Sequence, residues 1–427
     1  MVPALVHGGG SKSAEENMRR LEILDGMRGY FLVFMVLNHL TFAGGYLLVK
    51  FNHGELGYVQ DAQGFVFLSG LLVGMVYARR MQRDGYAAGA AKVRKRAFEI
   101  YRYAVACLAI VFLLGFGLSA SSTYWEPWLW DFADHNPFYA LASLLLLYQP
   151  TYMDILPQYI VYMLVSPPLI WLCVTGRWMW VAALSAFLWA AVQLGLHFPV
   201  AGGIRALLER VHEGEMFRTA FNVLAWQAVF MSGLVLGALT ATGRIDWEKV
   251  MNPKRTALVW LAFALVLVFM GFRFGFTFKL LPEPMMERFR GLDNRTEFSF
   301  VYLVNFMATG YLVAWMVMAG SLADNRIVRA LGNGLRWIFS LSFLRLIGRH
   351  SLQVYAWHVI VIYLLKGFEH HYGPFSEWTK TAIALSAIAS LAVPALYRER
   401  ATYFSRVPFL RDRASSDDVK ARAAPAK

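Results

Sequence analysis

The stretch LDGMRGYFLVFMVLNHL, residues 24–40, decides how the rest of the chain is interpreted. It is an apolar run that carries Asp25 and Arg28 near its start and Asn38 and His39 far inside it. Arg28 and His39 are eleven positions apart, and at about 100° per residue a helix returns them to within roughly 20° of each other. We therefore expect a first membrane-spanning helix whose ionisable side chains, Asp25 included, share one stripe.

The predicted depth of His39 points to a functional role. With a rise of about 1.5 Å per residue, His39 lies about 16 Å beyond Arg28, near the middle of a hydrocarbon core about 30 Å thick. A charged side chain at that depth costs about 2.5–3.5 kcal/mol, so such groups usually face a polar cavity. Two structural alternatives stay open: Arg28 as a cytoplasmic anchor, and His39 as a neutral imidazole bonded between helices.

The composition restricts the class of protein. Of the 427 residues, 58% are hydrophobic and only 16% are charged, which is too apolar for a soluble globular chain. The net charge of +13 does not require a nucleic-acid partner, and we expect none, because membrane proteins collect Lys and Arg in their cytoplasmic loops. Both cysteines lie in apolar segments, so no disulfide framework is predicted.

The sequence predicts an all-α polytopic membrane protein with about ten transmembrane helices and both termini in the cytoplasm. The ten apolar runs are 28–48, 62–78, 98–119, 157–175, 178–196, 220–241, 256–275, 299–320, 350–366 and 378–396. A further run at 138–149 is too short to cross alone and is followed by prolines, so we expect a short re-entrant or interfacial helix there. The predicted regions are a cytoplasmic lead (1–23), a transmembrane domain (24–400) and a cytoplasmic tail (401–427) that we expect to be disordered.

The distribution of charge supports this orientation. Most of the 41 lysines and arginines fall in segments that the ten-span prediction puts in the cytoplasm. The proposed outer segment 120–137 has no Lys or Arg and contains three tryptophans, as an outward-facing rim would. The outer loop 276–298 carries charges of both signs. These charges are either simply solvated or part of a sugar-binding surface, and the sequence leaves both explanations open.

The segment 60–80 combines small and polar residues in apolar surroundings. Gly70 and Gly74 form a small-xxx-small pair, which favours close packing with another helix. Asp61 lies at the predicted outer end and could orient or polarise a histidine from the acceptor side. Ideal geometry puts it about 9 Å nearer the outside than the histidine of the first span, so a direct pair would require helix tilt or an unwound end.

The segment 346–364 carries a second deep histidine. Ser351, Tyr355 and His358 share one helical face, and His358 reaches a depth similar to that of the first histidine. A polar clasp between helices and direct catalysis are both open for His358. Arg349 at the cytoplasmic interface is either an anchor or an anion ligand.

Three motifs resemble one family. Arg28 and His39 enclose ten residues, similar to the Arg-x10-His pattern of the acyltransferase-3 family of membrane O-acyltransferases. GFVFLSGLLVG (64–74) resembles that family's Phe-x-Phe-x-Ser-Gly span, and GRHSLQVYAWH (348–358) resembles its Gly-x-x-Ser-x-x-Tyr-x-x-His span.

The detailed sequences of these motifs and of the segment 144–172 more closely resemble the OpgC branch of that family. That branch contains the succinyltransferases of osmoregulated periplasmic glucans. The resemblance covers residues from about 21 to 400 and is weak within 197–340.

The resemblance implies a multi-pass enzyme of the bacterial inner membrane that acylates a hydroxyl of a periplasmic glucan. It implies an acyl-CoA co-substrate, expected to be succinyl-CoA, on the cytoplasmic side. We expect no permanently bound cofactor, no metal site, and no partner other than membrane lipid, acyl-CoA and the glucan or oligosaccharide acceptor. We expect catalytic roles for His39, Asp61 and His358, and donor-binding roles for Arg28, Arg349, Ser69 and Tyr355.

The main alternative is a secondary transporter or flippase, which would also bury His and Arg within about ten spans. It predicts inverted repeats with broken helices in matching halves, and the sequence shows no convincing repeat. The sequence also lacks a Walker A motif, a Rossmann fingerprint and Cys/His metal spacing. A scaffold without activity would leave the Asp25, Arg28 and His39 stripe unexplained.

Overall fold

The computed structural model describes residues 9–134, 136–210 and 217–406. Within these ranges the chain is helical and contains no extended strand. Its α-helices are α1 (Gly9–His39), α2 (Asp61–Gly117), α3 (Ser121–Leu129), α4 (Pro137–Leu144), α5 (Ile155–Val174), α6 (Trp178–Gln193), α7 (Phe198–Glu209), α8 (Val223–Ala241), α9 (Trp247–Val250), α10 (Ala257–Thr277), α11 (Glu283–Arg290), α12 (Phe300–Met318), α13 (Arg326–Phe339), α14 (Ser342–Arg349), α15 (Ser351–Tyr372), α16 (Glu377–Ser390) and α17 (Ala392–Arg406).

Seven helical segments of the described chain are long and apolar enough to cross a membrane, judged by length and composition. They are α2, α5, α8, α10, α12, α15 and the combined segment Glu377–Arg400. The number becomes eight if α6 and α7, which are bent by 72° relative to each other, form one span. The chain is therefore a helical multi-pass membrane protein, while the number ten and the side of the termini stay predictions.

The difference between ten runs and seven or eight segments has a structural origin. The apolar part of α1 carries Glu22, Asp25 and Arg28, which is too many charges for a simple apolar span. The runs 62–78 and 98–119 both lie on α2, which has 57 residues and is interrupted at Gly85. The φ of Gly85 is 83°, a conformation that only glycine adopts without strain, so α2 consists of two helical pieces.

The predicted first span is wrong at its outer end. The run 28–48 was expected to be one helix, but α1 ends at His39, and residues 40–60 form irregular turns and two short 3₁₀ helices, Leu48–Phe51 and His53–Leu56. Gly44 and Gly45 have φ values of 76° and 69°, which a right-handed helix cannot include. His39 therefore lies at the end of a helix and faces the loop that follows it.

The predicted short element at 138–149 forms only α4, which has eight residues and Pro137 in its first turn. This length is far below that of a membrane span. At the ends of the chain, α1 already begins at Gly9 and α17 continues to Arg406. The greater part of the predicted tail, 407–427, lies outside the described residues.

Glycines bring α2 and α8 into direct backbone contact. A Cβ added to Gly70 or to Gly74 would lie 2.1 Å from a backbone carbonyl oxygen of α8. Gly233 and Gly237 of α8 approach α2 equally closely, at 2.2 and 2.0 Å. Small residues permit this approach and the dispersion contacts that hold membrane helices together. The predicted packing role of Gly70 and Gly74 is confirmed.

A second close contact fixes the position of α1. Cβ atoms added to Gly26 and Gly29 of α1 would lie 1.7 and 2.0 Å from backbone oxygens at Phe339 and Leu344. One added to Gly348 of α14 would lie 1.8 Å from the backbone oxygen of Asp25. Because α14 leads directly into α15, this packing sets the polar stripe of α1 beside the polar face of α15.

Candidate active site

Two histidines from distant parts of the chain meet at the end of α1. His39 Nδ1 lies 3.2 Å from His358 Nε2, and the rings are stacked with centroids 5.3 Å apart. His358 Nδ1 lies 2.5 Å from the backbone oxygen of Tyr355. Ser351, Tyr355 and His358 share one face of α15, and all three are buried.

These contacts fix the protons on both rings. A carbonyl oxygen only accepts, so His358 Nδ1 carries the proton that it donates to Tyr355. In a neutral His358 the other nitrogen, Nε2, is then an acceptor, and His39 must donate to it through Nδ1. The neutral His39 therefore has its unprotonated nitrogen at Nε2. His358 is completely buried, whereas His39 remains partly exposed.

A tyrosine-bearing loop covers one face of His39. The ring of Tyr152 stacks on His39 with centroids 4.1 Å apart. The Tyr355 hydroxyl donates to the backbone oxygen of Tyr152 at 2.7 Å, and the Tyr363 hydroxyl donates to that of Thr151 at 3.0 Å. Two tyrosines of α15 therefore hold the loop in place through hydrogen bonds to its backbone. This places Tyr355, a predicted donor ligand, as a group that positions Tyr152.

The structure brings Asp61 to Asn38 and not to His39. Asn38 Nδ2 donates a short hydrogen bond to Asp61 Oδ2, and Asn52 Nδ2 donates to Asn38 Oδ1 at 2.7 Å. His53 Nε2 lies 3.4 Å from Asp61 Oδ1, and burial lowers the pKa of His53 to about 4. At neutral pH this is a neutral imidazole beside a buried carboxyl group. The network holds the residue next to His39 in place.

Arg28 lies at the other end of the stripe with little compensation for its charge. Its Nη2 donates to Ser351 Oγ at 2.5 Å, and its guanidinium lies 5.5 Å from the centroid of Phe65. Its Nε is buried without a hydrogen-bond partner. Among the residues that the structure describes, no carboxylate lies within ion-pair distance of Arg28. Such an arrangement favours binding of an anion.

A cleft lies next to Arg28, and we name it the Ser69 cleft. Its cavity volume is about 10 Å³, room for about one water molecule. Its lining residues are Phe65, Val66, Ser69, Ile155, Gln158, Tyr159 and Tyr162. Phe65 is shared with Arg28, and Gln158 Oε1 is buried without a partner. Ser69, a predicted donor-binding residue, therefore lies in a cleft beside the unpaired cation.

Arg349 is not part of this cleft. Its Nη1 forms an ion pair with Glu399 Oε1 at 3.1 Å, and its side chain is 51% exposed. The neighbouring His350 is 3.7 Å from the same carboxylate. Of the predicted donor ligands, Arg28 and Ser69 lie together, whereas Arg349 has an exposed partner of its own.

A second cleft opens on His39 itself, and we name it the His39 cleft. Its cavity volume is about 10 Å³, room for about one water molecule. Its lining residues are His39, Leu40, Thr41, Phe42, Trp128, Ile362, Leu365, Lys366 and Glu369. The sequence drew attention to Trp128 only as one of the tryptophans of the outer rim. Nothing local marks Lys366 and Glu369, which follow His358 on α15.

Two charged residues act on the site but were not identified from the sequence: Arg295 acts on His39, and Asp154 acts on Tyr152. Arg295 is exposed in the loop 276–298, with its guanidinium 5.3 Å from the centroid of Phe221, and its charge acts on His39 and on Asp154. Burial raises the pKa of Asp154 to about 6, and the charge of Arg295 opposes this rise. The mixed charges of the loop were the available signal, but they do not single out Arg295.

A protein family described as OpgC protein matches residues 19–403, which is nearly the entire sequence. The match includes 197–340, where the motif resemblance is weak. No curated protein and no solved structure matches the chain. Because the family match covers far more than half of the sequence, the chain belongs to the OpgC protein family.

Proposed function

We propose that the protein is a membrane O-acyltransferase that moves an acyl group, expected to be succinyl, from cytoplasmic acyl-CoA to a hydroxyl of a periplasmic glucan. Membership of the OpgC family supports a glucan-modifying acyltransferase. The observation that carries the proposal is the hydrogen-bond chain from His39 through His358 to Tyr355. It leaves the lone pair of His39 Nε2 available for a proton at a partly exposed position.

The donor is assigned to the Arg28 end of α1. A guanidinium without a carboxylate partner suits a phosphate of CoA, with which it forms two parallel hydrogen bonds. The separation of about 16 Å between Arg28 and His39 is of the order that the pantetheine arm spans when the thioester reaches the imidazole. The exposed Arg349 fits a contact with the nucleotide part of the donor better than one with the acyl group.

The reaction requires two proton transfers, one from the glucan hydroxyl to His39 and one from His39 to the CoA thiolate. The glucan hydroxyl oxygen attacks the thioester carbonyl carbon, so that a C–O bond forms as the C–S bond breaks. His39 Nε2 takes the hydroxyl proton and returns it to the CoA thiolate, while Nδ1 keeps its bond to His358. General-base catalysis of this kind contributes about 10²- to 10⁴-fold in rate.

A two-step version differs in its first acceptor. In that version His39 Nε2 attacks the thioester carbonyl carbon and the CoA thiolate leaves. The glucan hydroxyl then attacks the acyl-histidine, so that the ester forms as the C–N bond breaks and the released imidazole takes the hydroxyl proton. Donor supplied without glucan should trap an acylated His39 only under this version, which mass spectrometry of the intact protein detects.

Ten spans in the bacterial inner membrane, with both termini in the cytoplasm, belong to the proposal. Adding α1, the second piece of α2 and the bent pair α6–α7 to the seven apolar segments supports that number. Labelling of a cysteine placed at Ser121 tests the orientation. A periplasmic Ser121 agrees with it, and a cytoplasmic one contradicts it.

The function is tested with purified protein in detergent, a glucose oligosaccharide and either succinyl-CoA or acetyl-CoA. We expect release of CoA thiol and a succinylated product, both dependent on His39 and on the acceptor. Equal use of acetyl-CoA would contradict the succinyl assignment while leaving the acyltransferase intact. Movement of glycan or anion across vesicles without acylation would favour the transporter alternative.

A further inference from the structure

We propose that α13 lies in the plane of the membrane interface and binds anionic phospholipid, with one side among the acyl chains and its arginines on the headgroup phosphates. This inference does not depend on the proposed function, because it uses only the multi-pass character of the chain. The 14 residues of α13 include three arginines. At about 1.5 Å per residue the helix extends about 21 Å, less than a hydrocarbon core of about 30 Å, so it does not cross the bilayer.

One side of α13 packs on the protein. At about 100° per residue, Gly332 and Phe339 lie within roughly 20° of each other, and both are buried. A Cβ added to Gly332 would lie 2.8 Å from the backbone oxygen of Met316, so this side is in close contact with α12. The rotation of α13 about its own axis is therefore fixed, and its other sides face away from the protein.

A second side of α13 is apolar and exposed. Ile327, Leu331 and Trp337 lie within about 120° of one another around the helix, and their exposed fractions are 71%, 56% and 67%. Ala330, which lies between them, is also exposed. A short helix with such a side, in a membrane protein, is typical of an element whose apolar face enters the boundary between headgroups and acyl chains.

The third side of α13 carries the arginines. Arg326, Arg329 and Arg336 lie within about 80° of one another, and all three are exposed. Arg329 donates to the backbone oxygen of Ala323 at 3.3 Å, and Arg336 donates to Ser321 Oγ at 2.8 Å. Both acceptors are neutral, and within the described chain no carboxylate forms an ion pair with any of the three.

The neighbouring helix α14 shows that this lack of ion pairs is particular to α13. Arg345 pairs with Glu22 at 2.5 Å, and Arg349 pairs with Glu399 at 3.1 Å. The positive charge of α13 is thus left for an anion from outside the chain. Anionic phospholipid fits both exposed sides, because one molecule supplies acyl chains to the apolar side and a phosphate to the arginines.

The lipid-facing helix is also in direct contact with α1. A Cβ added to Gly26 of α1 would lie 1.7 Å from the backbone oxygen of Phe339, and the ring of Phe339 packs edge-on against Tyr30 with centroids 5.7 Å apart. An interfacial α13 therefore also sets the depth of α1 in the bilayer.

Spin labels at two neighbouring positions of α13 test this orientation. Cys107 and Cys173 are buried, so Leu331→Cys on the apolar side and its control Asn333→Cys on the arginine side can be labelled selectively in the full-length protein. In vesicles of phosphatidylcholine and phosphatidylglycerol, the label at Leu331 should be more accessible to oxygen than to a water-soluble nickel chelate. The label at Asn333 should show the reverse order. Equal access of the chelate to both labels, or protection of both labels from both reagents by a protein contact, would overturn the proposal.

A second measurement tests the preference for anionic lipid. A bimane fluorophore at Ala330→Cys is quenched by brominated lipid that lies beside it. With the three arginines present, brominated phosphatidylglycerol should quench it at least about threefold more effectively than brominated phosphatidylcholine. The same label at Leu267→Cys, exposed on the apolar helix α10, is the control and should show no preference.

Substitution of the arginines tests whether their charge causes the preference. Arg326→Gln, Arg329→Gln and Arg336→Gln together should reduce the quenching ratio to about one, whereas the three matching lysine substitutions should keep most of it. Equal quenching by both lipids with the arginines present, or a preference that survives the glutamine substitutions, would contradict the assignment. The first of these comparisons decides the outcome even if the glutamine variant fails to fold.

Discussion

The polar stripe of α1 has two ends, Arg28 and His39, and they differ in how the polar groups of their side chains are satisfied. Arg28 is a permanent cation whose described contacts are a neutral hydroxyl and an aromatic ring. His39 is one member of a hydrogen-bond chain that settles Nδ1 and leaves Nε2 open. An unpaired buried cation is costly until an anion binds, whereas a satisfied neutral imidazole is stable and ready to take a proton. The difference assigns charge recognition to one end and proton transfer to the other.

The two clefts repeat this contrast. The Ser69 cleft lies next to a guanidinium that forms no ion pair among the described residues, although the charge of Asp25 acts on it. The His39 cleft contains Lys366 and Glu369 as an ion pair. Each prediction below changes one end and asks whether the other end is affected.

The largest effect is expected from removing the base. His39→Ala should lower kcat for transfer at least about 10²-fold, because no other group in the described site replaces Nε2. The KM for acyl-CoA should change little, since Arg28 and the Ser69 cleft are untouched. Steady-state kinetics with both substrates varied measure this. Near wild-type transfer would exclude His39 as base and make His358 the next residue to test.

The next largest effect is expected at His358, which fixes the tautomer of His39. His358→Leu removes the acceptor of the Nδ1 bond and should lower kcat about 10- to 100-fold, as loss of an orienting partner does at other sites. His358→Gln can present an amide oxygen and should retain more activity than the leucine variant. If both variants were as inactive as His39→Ala, His358 would act on substrate directly.

A smaller, donor-specific effect is expected at Arg28. Arg28→Lys keeps the charge but loses the planar fork, so the KM for succinyl-CoA should rise about tenfold while the acceptor KM stays unchanged. Arg349→Lys should change the donor KM by less than about threefold, because that side chain is exposed and already paired. The reverse order of the two effects would place the donor anion at Arg349.

Local sequence patterns were sufficient to predict several parts of the site and of the helix packing. The period of the helix correctly put Ser351, Tyr355 and His358 on one face. The spacing of Gly70 and Gly74 correctly indicated a close helix contact. Both inferences depend on neighbours within about two helical turns, where geometry is fixed by the helix itself.

Other parts depend on how distant segments fold together. Residues 40–48 are apolar enough to continue a span, yet α1 ends at His39, and Gly44 and Gly45 have positive φ values that a right-handed helix does not include. Tyr152 and Arg295 lie more than a hundred positions from His39 in the sequence, with no local feature that connects them. The partner of Asp61 depends on the turn that brings His53 back toward α2. No periodicity encodes these contacts, because tertiary packing decides them.

The smallest effect is expected at Asp61, and it asks whether this residue acts on His39 or only on the end of its helix. Asp61→Asn keeps an oxygen that can accept from Asn38, and no ion pair with His53 is lost near neutral pH because the pKa of His53 is lowered to about 4. We therefore expect kcat to fall by less than about tenfold. Asp61→Leu should instead lower thermal stability, since it leaves the Asn38 amide without its acceptor at a cost of about 1–3 kcal/mol. If kcat of Asp61→Asn fell as far as that of His39→Ala in a protein of wild-type stability, the carboxylate would take part in the proton transfer. The contacts of His39 alone would then not describe the site of proton transfer.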